Sequence, residues 1–325
     1  MDVNSTILYN NVTQESIFLT KMNEILKTVF FVLSILWFCL FLYFMAVLLI
    51  VYFTTSRVRD SSRYILFAHM LINDTLYLIL TLSLFMAYKF SLQSPAYICY
   101  FVITLTTTTF RVTPYNLAAM ALERYIAICF PLKHAILCTA QNTYSIMVLI
   151  WFISLLPGLA DFIILFLSVG EDFFSWSILC KQEWLIVRQV QYTLRSSAYI
   201  STLFLVALVL LFTYIKVMLV AWKSGSGKSS ASRAGRTVVL HTCQLLLSMV
   251  SLTSTITESY RGYFLDVLVL ANFCMFMVFP RLLSPLIYGI RDDVFSKYIK
   301  SMYPTNLFLS CSSIRTPFST KKEAM

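Results

Sequence analysis

Seven long apolar runs, each bounded by polar or charged residues, divide the chain. A helix needs about 20 predominantly apolar residues to cross a bilayer, and every run reaches that length. The first is uncharged from Thr28 to Ser56. The second, about Tyr64–Tyr88, is broken only by Asp74. The third, about Pro95–Ile128, contains Arg111, and the fourth, Asn142–Val169, contains Asp161. Ser196–Val220, Thr237–Thr257 and about Phe264–Ile290 complete the set, the last interrupted by Arg281. The pattern predicts an all-α membrane protein built as a seven-transmembrane helix bundle. It divides into an N-terminal segment 1–27, a transmembrane domain 28–290 and a tail 291–325. In the tail, Val294, Phe295, Tyr298 and Ile299 share one helical stripe beside Lys297 and Lys300. That stripe predicts a short interfacial helix, 291–300, lying on the cytoplasmic leaflet.

Composition narrows the function classes. The chain is 59% hydrophobic and 12% charged, where soluble domains are about 45–50% and about 25%. With a mean hydropathy of +0.77, this excludes a disordered chain, a nucleic-acid reader and an ordinary cytosolic enzyme. The net charge of +10 acquires meaning only loop by loop. With the N-terminus outside, the inner segments hold fifteen Lys and Arg and the outer segments seven, the latter matched by seven acids. This bias places the N-terminus outside and the C-terminus in the cytoplasm. Residues 1–27 are polar and carry no cleavable signal pattern, so the first helix is expected to act as its own signal-anchor. Asn4 and Asn11 head Asn-x-Thr/Ser glycosylation acceptors on the expected outer side. The same pattern at Asn73 lies within a span and is discounted.

Cysteines sort by depth. Of eight, only Cys99 and Cys180 fall near the outer face, and that compartment is oxidising, so they are expected to form a disulfide. Cys39, Cys129, Cys138, Cys243 and Cys274 read as buried small hydrophobes or reduced thiols. Cys311, after the basic amphipathic stretch, is either a palmitoylation site or a plain thiol. Gly225–Ser229 imitates a phosphate loop, but a Walker loop needs glycine where Trp222 stands. It reads instead as part of a basic inner loop. His69, His134 and His241 are scattered, with no metal-ligand spacing and no nucleophile–base arrangement. No cofactor, metal or enzymatic activity is expected.

The strings at two helix ends are more specific. The third run closes on Met120-Ala121-Leu122-Glu123-Arg124-Tyr125-Ile126-Ala127-Ile128-Cys129. The seventh closes on Pro280-Arg281-Leu282-Leu283-Ser284-Pro285-Leu286-Ile287-Tyr288. These resemble the Asp/Glu-Arg-Tyr and Asn-Pro-x-x-Tyr motifs of rhodopsin-like G-protein-coupled receptors in their odorant-receptor form, with wording similar to fish odorant receptors. Asp74, Trp151, Thr213-Tyr214 and His241-Thr242-Cys243 also match, so the resemblance runs from about residue 40 to 295. It departs at Ala46 and Ser284, where the family has asparagines, at Thr253-Ser254-Thr255, where it has Phe-Tyr-Gly, and in having one second-loop cysteine instead of three.

The resemblance implies a plasma-membrane odorant receptor that binds small odorants from outside and activates a heterotrimeric G protein of the stimulatory, cAMP-linked type. It casts Glu123, Arg124, Tyr125, Tyr214, Pro285 and Tyr288 as the coupling switch. Ligands are expected in an outward cavity between the third, fifth, sixth and seventh helices. There Thr104, Thr107, Thr108 and Arg111 supply polar groups, although threonines in membrane helices often bond their own backbone. Arg111 either pairs with Asp161 or stands free to bind a carboxylate. Family geometry also sets Arg281 beside Asp74, where many relatives hold sodium, and an Asp74–Arg281 ion pair is expected in its place. The basic inner face suits acidic lipid headgroups. The rival readings are a non-olfactory rhodopsin-like receptor for an amine, lipid or peptide, and a transporter. The odd helix number and lack of an internal repeat weigh against the transporter.

Overall fold

The computed structural model describes residues 3–55, 61–223 and Arg281. The sixth span, the interfacial helix 291–300, Pro285 and Tyr288 lie outside these residues. So does the seventh span apart from Arg281, which is helical.

Helix α1 covers Val3–Thr54, α2 Ser62–Lys89 and α3 Ala96–Cys129. A short α4, Pro131–Leu137, leads into α5, Ala140–Ser168, and α6 covers Gln189–Lys223. Each start and stop has a local cause. Pro131 sits in the first turn of α4, where its missing N–H costs nothing. Thr139 caps α5 by accepting from the Asn142 N–H at 3.3 Å. Ser91, at φ 51°, turns the chain out of α2 and lets the Leu92 N–H reach the Ala87 carbonyl at 2.8 Å.

Residues 3–27 and the first span form one continuous helix of 52 residues, α1. At about 1.5 Å per residue it is about 78 Å long, well beyond a hydrocarbon core of about 30 Å. No proline or glycine occurs between Val3 and Thr54 to interrupt it. Asn4 and Asn11 fall in its first turns. The fifth span, read from Ser196, starts instead at Gln189, so Gln191 and Arg195 belong to the helix. Their polarity disguised them as loop.

Four helical stretches, Glu24–Thr54, Ser62–Lys89, Ala140–Ser168 and Gln189–Val220, are long and apolar enough to cross a membrane. Helix α3, at 34 residues, has the length but is more polar. Its position explains this. It packs against α2, α5 and α6 together, so its polar side chains face protein while its neighbours supply the apolar exterior. Phe152, Ile163 and Phe166 on α5, with Phe204 and Leu205 on α6, are exposed, as suits a surface whose solvent is lipid.

The core lies in three zones along α3. Near the disulfide, Cys99, Tyr100 and Ile103 pack on Leu165 and Leu185. At the other end, Leu117 and Met120 join Phe41, Met45, Leu66, Phe67 and Leu71 of α1 and α2. Ala118 and Ala121 let α6 close in through Leu203, Val206 and Leu210. At Gly158 of α5 a Cβ would stand 2.9 Å from Thr104 Cγ2, so this glycine permits the close α3–α5 approach.

The segment between α5 and α6 is folded back over the bundle. Strand β1 (Gln93–Pro95), just before α3, pairs antiparallel with β2 (Ser177–Leu179), with Ser94 opposite Ile178. Cys180 follows β2 directly and is bonded to Cys99 in the first turn of α3. The cross-link spans 81 residues and pins the loop where two three-residue strands alone would not hold it. A disulfide of this kind stabilises by roughly 2–4 kcal/mol. Replacing Cys99 or Cys180 by serine is therefore expected to lower the melting temperature and retain the protein in the secretory pathway. Peptide mapping without reduction, if it recovered Cys99 or Cys180 as a free thiol in the wild type, would overturn this.

Candidate functional site

Three clusters of ionisable side chains lie along α3, each at a different depth. At the end of α3 remote from the disulfide, Glu123 is nearly buried and makes two contacts. One carboxylate oxygen lies 2.9 Å from His134 Nε2, and the other lies 3.7 Å from Arg124 Nε. His134 reaches Glu123 because α4 folds back directly after Pro131. His134 carries no sequence signal for this site beyond Pro131, which starts a new helix. Tyr125 packs edge-on against Phe130 and Phe212, with ring centroids 5.7 and 5.5 Å away. Tyr214 is exposed on α6, and no hydrogen bond or ion pair joins it to Arg124 among the described residues.

At mid-depth, Asp74 of α2 is 1% exposed. Its Oδ1 accepts from the Thr113 hydroxyl at 2.8 Å and lies 3.4 Å from Arg281 Nε. The guanidinium rests on the face of Tyr77, its Cζ 3.5 Å from the ring centroid, with Phe110 beyond at 5.3 Å. Asn73 completes the group, donating to the Thr109 carbonyl and the Thr113 hydroxyl, each at 3.0 Å. These residues do not fit a sodium ion. The carboxylate already faces one full positive charge, and a second cation beside a guanidinium would be repelled. A related neutral bridge lies nearby. Trp151 Nε1 donates to His69 Nε2 at 2.9 Å, which leaves His69 Nδ1 to donate to Asn116 Oδ1 at 3.2 Å. His69, read as scattered, thus ties α2 to α3 and α5.

Toward the disulfide end, Asp161 of α5 is paired with Arg195, not with Arg111. Arg195 Nη2 and Nε donate to its two oxygens at 2.7 and 3.0 Å, a bidentate fork. Gln191 Nε2 lies 3.3 Å and the Tyr100 hydroxyl 3.2 Å from the same carboxylate. Arg111 instead donates its Nε to the Ser154 carbonyl at 3.0 Å, with its Cζ 5.5 Å from the Tyr199 ring centroid. The reason is register: Arg195 lies inside α6, so a second arginine enters the bundle at the level of Asp161.

Between α3, α5 and α6 these side chains line a small cavity of about 20 Å³. Thr104, Thr107 and Arg111 are on its α3 wall, whereas Thr108 is not and is 1% exposed. Thr107 and Thr108 both donate to the Thr104 carbonyl, at 3.0 and 2.8 Å. Thr106 and Thr109 likewise bond carbonyls of their own helix. The threonine hydroxyls are therefore largely committed to α3 itself, and the cavity's unspent polarity belongs to its arginines.

Removing one partner of a buried ion pair strands the other, at a cost of roughly 3–5 kcal/mol. Asp74→Asn alone or Arg281→Met alone is accordingly expected to lower the melting temperature and surface yield, and the double variant to recover both. A double variant no better than the worse single would refute the pairing. Exchanging sodium chloride for choline chloride is expected to leave the wild-type melting temperature unchanged.

The sequence as a whole matches the family model described as "7 transmembrane receptor (rhodopsin family)" over residues 45–313. It is 32% identical over 275 residues to "Odorant receptor 131-2" of Danio rerio, covering 80% of this chain and 81% of that protein. It is 25% identical over 209 residues to "Olfactory receptor 1073" of Rattus norvegicus, covering 59% of this chain and 63% of the rat protein. A shorter match, 31% identical over 147 residues, joins 43% of the chain to 30% of the "RYamide receptor" of Drosophila melanogaster. These are receptors, not enzymes. The family match spans most of the sequence and takes in the Glu123–Arg124 end, the Asp74–Arg281 level and the disulfide, and by it this multi-pass membrane protein belongs to the rhodopsin family of seven-transmembrane receptors.

Proposed function

We propose that this receptor detects small odorants at the outer face of the plasma membrane and activates a stimulatory heterotrimeric G protein that raises cAMP. In this reading the bundle has seven helices, the N-terminus and the disulfide face outward, and the Arg124 end faces the cytoplasm. The fifteen-to-seven Lys/Arg bias supports that orientation. The odorant class is supported by similarity over 80% of the chain to a protein named as an odorant receptor.

One observation carries the coupling role. Arg124 sits at a helix end with its side chain about a third exposed, restrained by the Glu123 carboxylate at 3.7 Å. Glu123 is in turn held by His134 at 2.9 Å. A restraint of that length and exposure is weak, worth about 0.2–1 kcal/mol, so a modest rearrangement releases the guanidinium. Released, Arg124 offers a rigid fork of donors to the carbonyl-rich C-terminal end of a docking helix. Tyr125 and Tyr214, with Pro285 and Tyr288 outside the described residues, would shape the opened end. The short interfacial helix 291–300 would lie on the leaflet beside it, and Asn4 and Asn11 would carry glycans on the opposite side. Ligand drives the change only by binding the open bundle more tightly than the closed one.

A receptor for a peptide is the second reading, favoured by the match to the "RYamide receptor", which covers 147 residues against 275 for the odorant receptor. A panel of water-soluble odorants and amidated peptides, read by cAMP in cells expressing the full chain, separates the two. Arg124→Ala is expected to reduce ligand-evoked cAMP to the level of untransfected cells while leaving surface expression roughly intact. Retained signalling at normal potency would make Arg124 a lipid-headgroup anchor instead.

A further inference from the structure

The Glu123 carboxylate is divided between two donors of different kinds. His134 Nε2 lies 2.9 Å from one oxygen, and Arg124 Nε lies 3.7 Å from the other. A carboxylate only accepts, so a neutral His134 carries its proton on Nε2, toward Glu123, and Nδ1 is left without one. Nδ1 makes no hydrogen bond among the described residues, and the side chain is 32% exposed, so a second proton can reach it from water. Helix α4 packs against α3. The charged or titratable side chains at that end of α3 are Glu123, Arg124, Tyr125 and Cys129. Helix α4 adds Lys133, whose ammonium lies 5.6 Å over the Phe130 ring, and Cys138 follows it. Of these Glu123 is the one anion. Arginine stays charged throughout the physiological range, whereas an imidazole gains or loses its charge between about pH 5 and 8.

We propose that His134 is a positioning residue for coupling, and that a proton on it competes with Arg124 for the Glu123 carboxylate. While His134 is neutral, it gives Glu123 one hydrogen bond and leaves the negative charge to hold Arg124. Once His134 is protonated, carboxylate and imidazolium form a neutral pair, and Arg124 faces that pair with a like charge behind it. Geometry favours the histidine in this competition, because its contact is at hydrogen-bonding distance and the arginine's is not. Linkage fixes the sign. Acid favours the state in which Arg124 has left Glu123, and departure of Arg124 favours proton uptake by His134. Coupling therefore strengthens as the pH at the α4 side falls through the range where imidazole titrates. The proposal rests on the coupling reading above in treating release of Arg124 as the step that admits the G protein, and in placing α4 in the cytoplasm.

The test uses the full chain in nanodiscs. With ring-labelled histidine, NMR follows His134 directly, its resonance assigned as the one lost in His134→Gln. The midpoint of its protonation is expected to rise in Arg124→Gln, which removes the competitor, and to fall in Glu123→Gln, which removes the anion. A midpoint unmoved by Arg124→Gln would overturn the proposal. The second readout is nucleotide exchange on a purified stimulatory heterotrimer, with and without the odorant panel, at about pH 6 and about pH 8, which bracket imidazole titration. His134→Gln keeps a donor for Glu123 and takes no proton, whereas His134→Lys keeps a fixed positive charge. From the higher pH to the lower, exchange is expected to rise about two- to fivefold more for wild type than for His134→Gln in the same buffers, a range set by the worth of a partly exposed ion pair. His134→Lys is expected to exceed His134→Gln at the higher pH and to lose the pH response as well. Equal pH profiles for wild type and His134→Gln, with exchange measurable in both, would overturn the proposal and leave the coupling reading standing. A midpoint that moves as expected, without exchange at either pH, would refute the coupling reading and leave the competition between proton and arginine standing.

Discussion

Every structural decision in this bundle follows from one constraint: a polar group at membrane depth must find its partner inside the protein. Among the described residues helix α3 carries more buried polar side chains than any other helix, Arg111, Asn116, Thr113 and Glu123 among them, and it is the helix enclosed by α2, α5 and α6. Burying the polar helix and leaving the apolar ones outside is the arrangement that wets no polar atom with lipid. The threonines of α3 turn back onto their own carbonyls. Asn116 reaches the Leu66 carbonyl of α2 at 2.9 Å, and Arg111 reaches the Ser154 carbonyl of α5. Such contacts fix which face of α3 meets which neighbour, a task that apolar packing in lipid performs weakly.

The same helix therefore touches every charged cluster described. Tyr100 lies against Asp161, Thr113 donates to Asp74, and Glu123 binds His134 and Arg124. The clusters are stacked along one rigid rod, and each has a geometry that a small shift would break instead of stretch. Guanidinium–carboxylate contacts of 2.7–3.0 Å, as at Asp161, lose most of their directional hydrogen bonding within about an ångström. Packed elements joined in this way tend toward discrete arrangements. A displacement of α3 felt at Arg111 would then be felt at Glu123.

How much of this the sequence discloses depends on whether a signal is local. Apolar runs locate α2, α3 and α5 to within about two residues, because lipid exposure acts on each run separately. Cys99 and Cys180 are identifiable because depth and compartment leave few other candidates for a bond. The start of α6 is misplaced because Arg195 and Gln191 look like loop residues until Asp161 gives them a buried partner. Arg111 and Asp161 sit on adjacent helices at nearly one level, but a charge count by span could not reveal that a second arginine claims the carboxylate. His134 and His69 were invisible for the same reason: their partners are 11 and 47 residues away, brought near by a turn in one case and a helix crossing in the other. In α1 the helix extends beyond the apolar run, since polarity marks where apolar length stops and not the end of a helix.

The three clusters also differ in how fully their charge is compensated, and that difference suggests where a ligand has leverage. Asp74 with Arg281 is one anion against one cation, shielded by the Tyr77 face. Glu123 faces Arg124 with side chains partly open to solvent, where screening reduces any imbalance. Among the described residues, Arg111 and Arg195 with Asp161 keep one positive charge in excess, and the Arg111 and Asp161 side chains are buried. A bound molecule shifts a conformational equilibrium only by the difference in its free energy between the two states. Electrostatic differences are largest where the dielectric is low and the local charge is unbalanced. Of the clusters described, the one near the disulfide meets both conditions. It is also joined through α3 to the Arg124 end, so a charge delivered there acts on the helix that holds Glu123.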